Sequence, residues 1–131
     1  MSYLLDTSVL AELLRTQPAP ALIRRLSHVP TAERWTSVIT VSQLLLAARG
    51  EMDPKLMQNV VRLVAAIRVA PFDLSAAQAF ARYQANVAED LETEDVMIAA
   101  IATCRDFTLV TRRRDLFRAF DKLRLEDWTS G

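Results

Sequence analysis

Short apolar runs alternate along this chain with longer stretches of helical periodicity, and that alternation leaves few architectures open to its 131 residues. Tyr3-Leu4-Leu5 predicts a buried strand ending at Asp6, and Val9, Leu10, Leu13 and Leu14 then share one helical face. Residues 16 to 20 read as a turn, and 21 to 26 as a short helix with Arg24 and Arg25 outward. A strand near residues 34–37 leads into a helix over 38–48, which Gly50 closes from just beyond its end. Asp53 and Pro54 supply a cap and a first-turn proline, and Leu56, Met57, Val60, Val61, Val64 and Ile67 follow as a buried stripe. A strand over 68–72 precedes a long helix from about Ser75 to Asp90, whose apolar positions include Ala76, Phe80, Tyr83 and Val87. The next helix opens on Thr93 as its cap and ends near Arg105. A buried strand over 107–110 and an edge strand over 122–125 complete the pattern.

Strands separated by helices pair in parallel through right-handed crossovers. The expected fold is therefore a three-layer α/β/α sandwich with a mainly parallel sheet of four to five strands, one domain over residues 1–131. Internal repeats, low-complexity segments and linkers are lacking. In such a sheet, ligands bind where strand order reverses, outside the carboxyl ends of the strands. Asp6 and Thr111 each follow a predicted strand, so they meet at that crevice if the two strands are neighbours.

Composition removes several classes of chemistry. The two glycines, Gly50 and Gly131, cannot build a phosphate-binding loop or a dinucleotide fingerprint. One histidine (His28) and one cysteine (Cys104) exclude a zinc cage, a disulfide framework and a two-histidine nuclease. Sixteen basic residues balance 16 acidic ones, so the chain lacks the basic excess of a protein that coats nucleic acid. The N-terminus has no basic export leader, and no apolar run approaches the roughly 20 residues that span a bilayer. With its single thiol, the chain is expected in the cytoplasm, away from membranes. Any catalysis must rest on carboxylates.

Four places carry the candidates, each with two readings. Asp6 is either a helix N-cap or a carboxylate at a strand end aimed into the crevice to hold a divalent cation. Asp95 lies in a first helical turn, where the helix dipole favours an acid, and it stands at the mouth of a nearly all-apolar helix. Gln43 completes a Thr40-x-x-Gln43 capping box or faces the same crevice. Arg112, Arg113 and Arg114 are a solvated loop or a phosphate-binding run, since arginine grips phosphate oxygens bidentately.

The segments LLDTSVLAELLR, SVITVSQLLLAA, DVMIAA, FTLVTRRRDLF and LRLEDW, in this order, resemble a PIN domain of the VapC toxin group. The resemblance covers essentially the whole chain. It implies a ribonuclease toxin of a toxin–antitoxin pair, with Mg2+ or Mn2+ held by clustered acids. It also implies a cognate VapB-type antitoxin, a homodimer, and contact with operator DNA only through the antitoxin. By the same resemblance Asp6 and Asp95 match the first and third acids of the family and are the expected metal ligands and catalytic residues. Gln43 stands where the family usually has glutamate. Arg113 occupies the usual Asn/Asp position, and Asp115 is the nearest acid to the fourth, one residue out of register. Ser8 and Thr111 are expected to be structural members of the site.

Gln43 can offer an oxygen but carries no charge and accepts no proton from attacking water. Three accounts of it stay open: natural attenuation, deliberate replacement of the acid, or an active variant drawing on Asp115 or Glu94. The rival to a nuclease is a catalytically inactive PIN-like module that binds RNA or a protein.

Overall fold

The computed structural model describes residues 1–86 and 91–130. Five strands, β1 (Tyr3–Leu5), β2 (Arg34–Ser37), β3 (Arg68–Ala70), β4 (Thr108–Val110) and β5 (Leu125–Glu126), form one sheet in the order β3-β2-β1-β4-β5. Every neighbouring pair is parallel, with Leu4 opposite Leu109 and Leu5 opposite Val110 in the central pair. Between the strands run α1 (Thr7–Leu13), α2 (Pro20–Ser27), α3 (Val38–Gly50), α4 (Pro54–Ala65), α5 (Leu74–Gln84), α6 (Thr93–Cys104) and α7 (Arg114–Phe117). From β1 the chain builds outward through β2 to β3, then returns to the other side of β1 with β4 and β5. Strand order thus reverses between β1 and β4, as the expected α/β architecture requires.

Alternation along the strands separates two cores. Leu4 and Leu109 pack on one face with Val96, Ile98, Ile101 and Phe117, under α5, α6 and α7. Leu5 and Val110 pack on the other with Val9, Leu10, Leu22, Leu44 and Val60, under α1 to α4. Each fully buried side chain of this size contributes about 1.5–3 kcal/mol. Trp128 closes the second core, edge-on to Tyr3 with ring centroids 5.0 Å apart and with the Arg25 guanidinium over its ring.

Several local expectations are corrected. Gly50 is the last residue of α3 rather than a stop beyond it, and the left-handed position is taken by Met52 at φ 53°. Glu92, not Thr93, sits at the N-cap of α6, with no side-chain cap bond. Val61 faces outward, 54% exposed, while Val60 carries the burial of α4. Arg25 is not simply outward: besides Trp128 it reaches Glu126 at 3.4 Å. Helix α5 starts at Leu74, because the Asp73 carboxylate accepts the Ala76 amide at 3.0 Å, and it ends at Gln84. The expected continuation through Val87 to Asp90 lies outside the described residues. Strand β5 begins later than expected because Lys122 turns the chain at φ 65°. Among the described residues no helix is long and apolar enough to cross a membrane.

Candidate functional site

Asp6 leaves β1 at the point where strand order reverses, and its amide bonds to the Val110 carbonyl of the adjacent strand at 2.9 Å. It occupies the N-cap position of α1, yet its side chain makes no capping bond. The carboxylate instead turns across to β4. Its Oδ2 accepts from the Thr111 hydroxyl at 2.7 Å, from Ser8 at 3.1 Å and from Arg113 at 3.5 Å. Asp6 is fully buried, and its Oδ1 has no hydrogen-bond partner among the described residues. An unpartnered buried carboxylate oxygen is costly, and a ligand at that atom would relieve the cost.

Asp95 is brought to the same place by α6. The run Val96–Ala102, all buried but Met97, anchors that helix in the core, so its first turn is fixed at the crevice mouth. There the helix dipole favours the negative charge. Asp95 itself is buried and receives both terminal nitrogens of Arg113, at 2.8 and 3.3 Å. One guanidinium nitrogen, Nη2, therefore touches both acids. Arg113 is aimed by its backbone, whose amide donates to Thr111 Oγ1 at 2.9 Å, and by the Phe117 ring lying 5.3 Å beneath its guanidinium. Burial opposes its charge, but the hydrogen bonds to Asp95 and the charges of Asp6 and Asp95 prevail and raise its pKa above the ordinary arginine value.

Gln43 does not form the expected capping box. Ser37 caps α3 by accepting the Thr40 amide at 2.9 Å, which places Gln43 one turn further along, inside the helix. Its Oε1 accepts the hydroxyl of Thr7 instead. A cavity of about 630 Å³ opens over Ser8, Gln43, Glu92, Glu94, Asp95 and Arg113. Asp115 is not part of it: its side chain is 93% exposed and pairs with Arg118 at 2.7 Å. The short helix α7 directs Asp115 away from the acids, which is why the nearest carboxylate in sequence does not join them in space.

The three adjacent arginines diverge. Arg113 faces the acids, Arg112 pairs with Glu12 at 3.1 Å, and Arg114 lines a separate cavity of about 570 Å³ with Arg24, Arg25 and His28. Sequence reasoning missed Glu12. This buried carboxylate accepts from Arg15, Arg112 and the Ala19 amide, joining α1 to two loops. The available signal was its position three residues after Val9, on the covered side of α1. Sequence reasoning also missed the engagement of Arg113 with both acids.

The donor chemistry fits magnesium or manganese, which take hard oxygens and accept one or two carboxylates with water completing the shell. Asp6, through its unpartnered Oδ1, and Asp95 would hold such an ion. Among the described residues no group of three or more histidines, cysteines or acids is placed to hold a metal ion, Glu92 and Glu94 at the cavity included.

Comparison with known proteins identifies the family and the fold. The family description "PIN domain" matches residues 3–123. The plasmid stability protein StbB of Pseudomonas syringae pv. tomato is 31% identical over 126 residues, covering 88% of this chain and 91% of that one. Toxin FitB of Neisseria gonorrhoeae is 29% identical over 136 residues, covering 95% and 97%. Among solved structures, DNA-bound VapBC from Salmonella typhimurium superimposes with a TM-score of 0.86 at 26% identity, covering 98% of both chains.

Proposed function

The chain belongs to the PIN-domain family, and from that premise we propose that it is a ribonuclease toxin held in check by a cognate antitoxin. The observation that carries this reading is the convergence of two buried acids, Asp6 from the end of β1 and Asp95 from the start of α6, on one nitrogen of Arg113, beside the cavity that Asp95 and Arg113 line. FitB, named a toxin, and the Salmonella VapBC complex, solved on DNA, support the pairing with an antitoxin and operator contact through it. A homodimer and a cytoplasmic location belong to the same proposal, with the chain acting as a single PIN unit.

In this reading RNA lays a phosphodiester across the cavity mouth. A divalent cation at Asp6 and Asp95, Mg2+ or Mn2+, would supply charge neutralisation at the phosphate and a more acidic bound water. Ser8 and Thr111 hold Asp6 Oδ2 in place, so Oδ1, without a hydrogen-bond partner among the described residues, would be the oxygen offered to such an ion. Gln43 presents an amide oxygen at the cavity wall but takes up no proton, so the reaction proceeds with one acid fewer. Arg114 and the neighbouring Arg24 offer guanidinium groups to flanking phosphates.

The test compares the parent protein with Gln43→Glu on a mixed RNA substrate in Mg2+ and in Mn2+. Cleavage is expected to rise by about tenfold or more with the added acid, since each 1.36 kcal/mol of barrier is a factor of ten. If both proteins are folded and neither cuts RNA with either ion, the nuclease reading fails. RNA binding that persists after Asp6→Asn and Asp95→Asn would then assign the chain as an inactive RNA-binding module. That second reading is favoured by one observation: the acids are already engaged by Arg113.

A further inference from the structure

The acid pair is arranged around a positive charge that the chain itself provides. The ion pairs of Asp6 and Asp95 are both made with Arg113, at 3.5 and 2.8 Å to the same guanidinium nitrogen. Two carboxylates, one fully buried and one nearly so, would otherwise stand close together with no ion-pair partner among the described residues. The geometry points to Arg113 as a built-in cation of this site. The guanidinium stands where a divalent ion would sit, stabilises the acid pair when no ion is bound, and must be displaced before an ion can take both carboxylates. The inference rests on reading Asp6 and Asp95 as cation ligands and does not depend on RNA being cut.

Three further observations support it. The fork of arginine matches a carboxylate in a way no lysine does, and here both terminal nitrogens are spent on Asp95. The side chain is 38% exposed, so it borders solvent on its cavity side and has room to swing outward while its backbone stays tied to Thr111. Glu92 and Glu94 line the same cavity and offer carboxylates to a guanidinium that leaves the acids. The site is thereby a competition between an internal cation and an external one. Its consequences are weak intrinsic affinity for divalent ions and a fold that needs none.

The experiment measures Mn2+ binding to the full chain by electron paramagnetic resonance and calorimetry, for the parent, Arg113→Ala and Arg113→Gln. Both variants are expected to bind Mn2+ at least about tenfold more tightly than the parent, the ion no longer having to break an ion pair. In chelator, Arg113→Ala should melt below the parent by roughly 4 °C or more, and saturating Mg2+ should recover most of that loss while moving the parent little. Adding Asp6→Asn to Arg113→Gln should abolish the gained Mn2+ affinity. Should Arg113→Ala not fold, Arg113→Gln, close in length and uncharged, carries the same comparison. Equal Mn2+ affinity in the parent and a folded variant would overturn the inference, as would gained affinity that survives loss of Asp6. These readouts involve no RNA. Absent cleavage in every variant would sink the nuclease reading and leave this one standing, whereas unchanged ion affinity would do the reverse.

Discussion

The hydroxyl of Thr111 donates to Asp6 Oδ2 at 2.7 Å, joining the ends of two adjacent parallel strands 105 positions apart in the chain. This bond decides which way Asp6 faces. Had the carboxylate capped α1, it would have bonded the amides of its own helix and turned away from Asp95. Thr111 and Ser8 draw it across the sheet, so a residue in a capping position meets Arg113 beside Asp95 instead.

Thr111→Val is expected to destabilise the fold by about 1–3 kcal/mol, because it removes a donor from a fully buried carboxylate and leaves the methyl packing intact. Thr111→Ser, which keeps the hydroxyl, should lose less. Urea denaturation of the two variants checks this, and equal losses would show that the methyl, not the hydrogen bond, matters.

Glu12 sets an acid limb on stability. The Ala19 amide, working against burial and assisted by Arg15 and Arg112, holds its pKa below the ordinary 4.5. A carboxyl whose folded pKa is depressed stabilises the fold above its unfolded value and loses that contribution as pH falls through the folded one. Glu12→Gln should therefore be less stable than the parent at pH 7, and the gap should narrow as pH falls below the ordinary 4.5 and through the lowered folded value. Melting temperatures across that range test the sign. A gap that widened in acid would reject the assignment.

The arginine run should not act as a unit on RNA. Arg112 is occupied by Glu12, whereas Arg114 faces the cavity shared with Arg24 and His28. Arg114→Ala is expected to weaken RNA binding and to lower the slope of log affinity against log salt by about one, while Arg112→Ala leaves that slope nearly unchanged. Filter binding over a salt series separates the two, and identical slopes for both variants would discard the distinction.

Much of the architecture is legible without coordinates because it follows from local patterns. The apolar triplet Tyr3-Leu4-Leu5, the buried run after Asp95 and the Asp53-Pro54 helix start each specify an element within a few residues of themselves. Where the reading slips, another local bond has won: Ser37 caps α3 in place of Thr40, and Lys122 turns the chain before β5. The placement of Asp6 beside Thr111 also follows from sequence, once β1 and β4 are neighbours.

By itself the amino-acid order determined a parallel α/β fold and put two acids at the ends of the elements that frame its crevice. Tertiary structure alone decided what those acids meet. Gln43 turns to Thr7, Asp115 turns to solvent, Glu12 is buried under two arginines, and Arg113 spans Asp6 and Asp95. The physical reason lies in range. Periodicity and capping record interactions within a turn or two of helix, whereas the partner of a buried charge is set by strands and helices that meet only after the chain has folded.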